Sequence, residues 1–265
     1  MSLRGIPYLM YHEIEVAGRP VVQTAPGYLR YVVNEKDFSN QLASLASAGF
    51  VGVNVTQALA ASNTSQKVAI TFDDGCETDL LTAAPLLKSH SFDATFYLVA
   101  GFLDRPGYLS THQVRTLQDL GFEIGSHSMT HSYLRRLDDT QLRAEIFESK
   151  DRLEQLTGKK VEHFSCPGGR WDSRVSALAQ LAGYASVATS EIGTNSERTD
   201  PYHLLRLAVL RGTSPESFSN MCRGEGLALR RLKGAILDGA KDFLGDSTYD
   251  RVRARVLGRP QNNLN

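Results

Sequence analysis

The sequence predicts an α/β fold in which parallel strands alternate with helices and wrap into a closed or nearly closed barrel of about seven strands. Three observations lead there. Short apolar runs of strand length alternate with segments of helical periodicity from the N-terminus to about residue 225. No internal repeat interrupts that alternation. The conspicuous polar groups, His12, Asp73-Asp74, His127 and the Pro167-Gly168-Gly169 turn, all fall where a predicted strand stops. In (β/α) barrels the active site lies at the C-terminal ends of the strands, so these groups are expected to converge.

Composition bounds the reading. The chain has 265 residues, 42% hydrophobic and 22% charged, with formal net charge +0. That suits one large domain, residues 1–225, with an appendage at 226–265. Zero net charge gives no reason to expect a nucleic-acid partner. Cys76, Cys166 and Cys222 are far apart and odd in number, which indicates neither a disulfide framework nor a thiolate metal site and suits a reducing compartment. Residues 1–10 carry one Arg and no long apolar core, so they read as a first strand and not as a signal peptide. A cytoplasmic or inner-membrane-associated protein is the expectation.

Taken in order, the first strand, Ile6–Tyr11, ends at His12-Glu13. Residues 15–33 read as an irregular loop with Tyr28 and Tyr31, and a loop of that length usually has a role. Asn34 caps a helix carrying Phe38, Leu42 and Leu45 that ends before Gly49. Residues 50–55 predict a strand, and residues 63–66 a loop. The central strand follows, with Val68, Ala69, Ile70 and Phe72 as a buried apolar run, the carboxylates Asp73 and Asp74 at its end, and Gly75 at the turn. A helix with Leu80, Leu81, Leu86 and Leu87 leads to a strand at 94–99. Ser110-x-x-Gln113 is a capping box for a helix with Val114, Leu117 and Leu120. A short strand at 122–125 runs into Ser126-His127-Ser128-Met129-Thr130-His131. Asp138-x-x-Gln141 caps a long helix with Leu142, Ile146, Leu153 and Leu156 on its apolar stripe. A strand at 161–164 enters Ser165-Cys166-Pro167-Gly168-Gly169-Arg170-Trp171. A helix at 175–181, a strand at 185–189, a polar loop at 190–201, a last strand at 204–210 and a short helix opened by Ser214-Pro215 complete the barrel.

Buried carboxylates are costly unless paired or metal-bound, so two side by side at the end of a core strand mark a site. His127 and His131 are four apart, and a helical turn would set both imidazoles on one face, where they can grip one metal. An Asp-His-His set leaves metal positions open for water and substrate. It suits zinc as Lewis acid and water activator, and equally a non-haem iron oxygenase. The second carboxylate favours the hydrolase, which needs a base to deprotonate the attacking water.

Thr71-Phe72-Asp73-Asp74-Gly75 together with His127-Ser128-Met129-Thr130-His131 resembles the polysaccharide deacetylases, the NodB-homology domain of carbohydrate esterase family four. The resemblance spans about residues 67–210 and includes Ala94-Thr95-Phe96-Tyr97 and residues 121–127. It implies a distorted (β/α) barrel that hydrolyses N-acetyl groups on hexosamine units. Asp73 would be the general base. Asp74, His127 and His131 would hold a divalent metal, zinc first, with cobalt or nickel also accommodated. The N–H of Gly168 would hold the oxyanion.

Two departures from the commoner pattern stand out. Ser165 occupies the place of an Arg two residues before the third-motif proline, and no Leu-x-His follows Leu204. Tyr11-His12-Glu13 near the N-terminus instead resembles the permuted subgroup that includes poly-N-acetylglucosamine deacetylases, which implies His12 as general acid. Arg206, set among Leu204, Leu205 and Leu207, is unlike a buried strand residue unless a carboxylate partners it, and it is the candidate to orient Asp73, with Arg170 second. Trp171 could stack on a sugar ring or pack in the core. Tyr28, Tyr31 and the 191–198 loop are candidates for a sugar groove. His90, His112, His163 and His203 have no partners at metal spacing.

Residues 226–265 read as two basic amphipathic helices. They either pack on the barrel or lie on an anionic membrane surface. Besides the deacetylase, two functions stay open: a metal-dependent amidohydrolase acting on a small cyclic amide, and a catalytically silent sugar-binding protein on the same fold.

Overall fold

The structure is a computed structural model that describes residues 5–62, 64–228 and 231. The strands are β1 (Ile6–Tyr11), β2 (Ile14–Glu15), β3 (Val33–Asn34), β4 (Val51–Val53), β5 (Lys67–Phe72), β6 (Thr95–Leu98), β7 (Glu123–Ser126), β8 (His163–Ser165), β9 (Ser186–Ala188), β10 (Thr194–Asn195) and β11 (Leu207–Ala208). The α-helices are α1 (Pro26–Leu29), α2 (Glu35–Ser47), α3 (Val55–Leu59), α4 (Ala84–Ser89), α5 (Thr111–Asp119), α6 (Asp139–Thr157), α7 (Ser173–Leu181) and α8 (Pro215–Cys222).

The main sheet runs β10-β1-β5-β6-β7-β8-β9, with β4 also on β5 and β11 also on β1. Every pairing in it is parallel except β1 with β10. A parallel bridge joins Ala188 to Leu204, and β11 then pairs with β1, so the 204–208 segment links the two edges of the curled sheet. The result is the nearly closed barrel the alternation predicts, distorted as the resemblance implies.

Period-two alternation sorts the strand residues between two cores. Val68, Ile70 and Phe72 of β5 pack with Leu42, Leu87, Val114, Leu142 and Ile146 under the helices. Ala69 faces the barrel interior with Tyr8, Tyr97, Ala188 and Leu204. Asp73 continues the interior-facing series. Tyr11, Phe72 and Phe96 are in register across β1, β5 and β6, and their rings stack at 5.3 Å and 4.9 Å. That aromatic row sets the strand ends level, so the next residues, His12 and Asp73, emerge side by side.

The expected caps are present at Asn34, Ser110 and Asp138. The strand predicted at 50–55 is shorter, because Asn54 makes its own capping box with Gln57 and starts α3. The 15–33 loop holds α1 and a two-stranded pairing of β2 with β3, and Glu13 anchors it by accepting from Val22 N–H and the Tyr28 hydroxyl. The expected helices of 226–265 lie outside the described residues apart from 226–228 and 231. Among the described residues, no helix is long and apolar enough to cross a membrane.

At the opposite end of the barrel from the motifs, Glu123 accepts from the first N–H groups of α3, Val55 and Thr56, and from the Thr95 hydroxyl, with His163 Nε2 at 3.5 Å. Burial works against its charge, but these partners outweigh it and lower its pKa below the usual value of 4.5. A carboxylate with a lowered folded pKa stabilises above its unfolded pKa and stops doing so as pH falls through its folded value. Glu123→Gln is therefore expected to lose about 1–3 kcal/mol at pH 7. The gap from wild type should shrink as pH falls below about 4.5. Urea unfolding at pH 7 and pH 3.5 checks both; an equal gap at the two values would refute the charge-based account.

Candidate active site

Asp73 and Asp74 leave β5 in different directions. The Asp73 N–H still donates to Tyr11 O at 3.0 Å, while Asp74 (φ 81°) and Gly75 (φ 78°) turn through the left-handed region. Both carboxylates are buried, Asp73 at 2% and Asp74 at 7% exposure.

Asp73 is held by Arg206 in a two-pronged pair, Nη1 to Oδ1 at 2.7 Å and Nη2 to Oδ2 at 2.8 Å. The guanidinium is fully engaged: Nε donates to Thr189 O (2.7 Å), Nη2 to Ser165 Oγ (2.8 Å) and Nη1 to Thr71 Oγ1 (3.4 Å). Its planar fork matches a carboxylate, which is why an Arg can be buried here. Ser165, at the position where the commoner pattern has Arg, leaves the room this guanidinium occupies. Burial alone would raise the Asp73 pKa; the Arg206 charge beside it outweighs burial and holds it below the ordinary carboxylate value. Arg170, the second candidate for this role, instead lies over the Tyr133 ring.

His127 and His131 face Asp74. Their Nε2 atoms lie 3.5 Å and 3.3 Å from Asp74 Oδ1, and His127 Nε2 is 3.8 Å from Asp73 Oδ2. The expectation that a helical turn brings the pair together is corrected: residues 127–131 are not helical. Ser128 (φ 68°) and His131 (φ 64°) adopt left-handed backbone, and this irregular loop places the rings 5.1 Å apart.

His127 Nδ1 donates to Ser165 O at 2.8 Å, because a carbonyl can only accept. Burial lowers its pKa to about 4, so the ring is neutral and Nε2 carries a lone pair. That lone pair faces two carboxylates. Asp74 Oδ1 is buried without a hydrogen-bond partner among the described residues. For His131, burial opposes the charged form, but contact with Asp74 outweighs it and raises the pKa. Burial likewise opposes the charge on Asp74, and the imidazoles around it bring its pKa down overall. The ligand atoms of Asp74, His127 and His131 lie within 4.8 Å of one another. The His127 lone pair and the buried Asp74 carboxylate are what a divalent cation would satisfy, with His131 giving up its proton to join them, and the mixed N/O donor set suits zinc. The Nδ1–H bond of His127 to a backbone carbonyl is the usual outer support of a metal-binding imidazole.

His12 follows β1 and is half-buried, with its ring 4.6 Å from Tyr31. Burial lowers its pKa, against the raising influence of Asp74 and Asp73. Gly168 (φ 59°) sits in a 3-10 turn, Pro167–Gly169. The N–H groups of Gly169 and Arg170 are taken by Cys166 O and Pro167 O, while the Gly168 N–H opens the turn, where no partner exists within it. A Cβ at Gly168 would come within 2.8 Å of Tyr133 Cε1, so close packing as well as backbone conformation requires glycine. Trp171 stacks on His203 at 4.2 Å and donates to Tyr202 O, which makes it a packing residue on that face. Cys76 and Cys166 are buried thiols whose pKa values burial raises. Glu145 was not legible as part of the site; its only sequence signal is a charged residue on the apolar stripe of α6.

The curled barrel thus sets a carboxylate paired with Arg206 beside an Asp-His-His cluster that could hold a metal ion at its strand ends. Residues 60–187 match the polysaccharide deacetylase family. YxkH of Bacillus subtilis, named for the same family, is 27% identical over 218 residues, covering 80% of this chain and 74% of that one. A peptidoglycan-N-acetylglucosamine deacetylase of Bacillus cereus is 33% identical over 129 residues, covering 48% of this chain and 58% of its own length. The structure of the deacetylase PplD of Streptococcus pyogenes in complex with acetate superposes with a TM-score of 0.72 at 22% identity, over 83% of this chain and 99% of that one, a likeness of fold.

Proposed function

We propose that this chain hydrolyses N-acetyl groups on hexosamine units of a polysaccharide or glycan, releasing acetate and a free amine. The observation that carries the reading is Asp73: a buried carboxylate kept ionised by Arg206, next to the one carboxylate that faces both imidazoles. A base beside a metal site is needed for hydrolysis and is superfluous for sugar binding.

Asp74, His127 and His131 would hold the metal, zinc first and cobalt or nickel as alternatives. When bound, it supplies Lewis-acid polarisation of the acetyl carbonyl and makes water at the site more acidic. Asp73 takes the proton from the attacking water. The Gly168 N–H donates to the oxygen as negative charge develops there. The C–N bond then breaks as protonated His12 gives its extra proton to the departing amine nitrogen and returns to the neutral imidazole. His12 must carry that proton to act as the acid: burial works against the charged form, and Asp74 and Asp73 favour it. The hydroxyl from water ends on the acetate.

The first test is acetate release from N-acetylglucosamine oligomers, with and without a chelator. Release that a chelator abolishes and zinc or cobalt restores is expected. Undiminished release after chelation would remove the metal from the reading, and no release with zinc bound would remove the substrate. His12→Ala is expected to lower kcat by about 10²–10⁴-fold, the usual contribution of an acid, at unchanged metal content. Full turnover in that variant would take His12 out of the mechanism.

A further inference from the structure

We propose that Glu145 is a positioning residue of this site: its carboxylate holds the 128–131 loop in the one conformation that presents His131 beside His127 and Asp74. The inference rests on the reading of those three residues as metal ligands.

The loop cannot hold itself. It has no helical or strand hydrogen bonds, and Ser128 and His131 take left-handed backbone that non-glycine residues adopt only under outside constraint. The constraint comes from two sides. On one side, Ala100 and Gly101 N–H donate to Ser128 O (3.0 Å) and Met129 O (2.8 Å). On the other, the N–H groups of Met129 and Thr130 converge on Glu145 Oε2 at 2.9 Å and 2.8 Å, and the Thr130 hydroxyl donates to Oε1. His131 N–H closes the turn on Ser128 Oγ at 3.0 Å.

Glu145 reaches the loop from the rigid stripe of α6, between Leu142, Ile146 and Ser149. Ser149, one turn further along, accepts from Ser126 Oγ at 2.9 Å, and Ser126 precedes His127. The helix thus holds the Ser126 side chain just before the first imidazole and the backbone just before the second. One carboxylate oxygen that accepts two consecutive N–H groups fixes the orientation of both peptide planes, and with them the direction in which the His131 side chain leaves the chain.

The geometry separates shape from charge. In Glu145→Gln the amide oxygen can take both N–H groups while the amide NH₂ donates to Thr130 Oγ1, which already lies 2.8 Å from Ser132 Oγ and can donate onward. Glu145→Asp keeps the charge but draws the oxygens back by one methylene. Glu145→Ala removes the grip altogether.

The test is zinc affinity of the full chain, stripped of metal and titrated against a chromophoric chelator. The visible band of the cobalt-substituted protein and the Tm of the metal-free protein are measured alongside. Glu145→Ala and Glu145→Asp are expected to bind zinc about tenfold or more weakly, the range for a lost outer support of a ligand, and to change the cobalt band. Glu145→Gln is expected to stay closer to wild type than to the alanine variant. Leu153→Ala, a buried change on the same helix, should lower Tm and leave affinity unchanged. Wild-type affinity in folded Glu145→Ala, or in Glu145→Asp should the alanine variant not fold, would overturn the proposal and leave the metal reading intact. A wild-type protein that binds no zinc or cobalt would overturn both.

Discussion

Asp73→Asn is expected to lower kcat for acetate release by about 10²–10⁴-fold, the contribution of a positioned general base. Asparagine keeps the size and can still accept a hydrogen bond from Arg206, but it cannot take a proton from water. Metal content should be unchanged, because Asp74, His127 and His131 are untouched. The substitution also leaves the Arg206 guanidinium buried against a neutral partner, so a lower Tm is expected along with the lost turnover. Kinetics, metal analysis and a thermal melt on one preparation separate these effects. A folded, metal-loaded variant that retained most of its turnover would show that the base lies elsewhere.

Arg206→Leu is expected to show the largest loss of stability, about 3–5 kcal/mol at pH 7, because it strands a buried carboxylate without its cation. The sign of the pH dependence follows from Asp73, whose folded pKa lies below its ordinary value through the Arg206 charge. That stabilisation is present above the unfolded Asp pKa and is lost as pH falls through the folded one, so wild type and variant should converge in acid. Urea unfolding at pH 7 and pH 3 measures this. In turnover, removal of Arg206 lets burial push the Asp73 pKa up, so the acid limb of the rate profile should move to higher pH. Arg206→Lys, a point charge without the fork, should fall between wild type and leucine. A stability loss that did not depend on pH would assign Arg206 to packing alone. Because Ser165 Oγ lies 2.8 Å from Arg206 Nη2, the double change Ser165→Arg with Arg206→Ser tests whether a guanidinium delivered from β8 can replace one delivered from the closing segment.

The sequence made most of the scaffold legible. Apolar runs of strand length located the core strands, and Ser110-x-x-Gln113 and Asp138-x-x-Gln141 marked helix starts that the structure contains. It was less informative where side-chain hydrogen bonds compete with the apolar pattern, as at Asn54, whose cap ends β4 early. In the site, adjacency was enough to single out Asp73 and Asp74, and spacing enough to pair His127 with His131. The reason first given for that pairing, a helical turn, does not apply: left-handed residues and the grip of α6 bring the rings together. Trp171, offered by sequence as a sugar platform, has a face occupied by His203.

The sequence by itself determined the alternating fold, the family motifs and the residues able to hold a metal, since local periodicity and short spacing encode which way neighbouring side chains point. Only the tertiary structure decided that Arg206 meets Asp73, 133 residues away, and that Glu145 supports the loop between two imidazoles. Those contacts depend on how the curled sheet joins its edges and where a helix lies across it. No stretch of chain short enough to carry a periodic signal contains both partners.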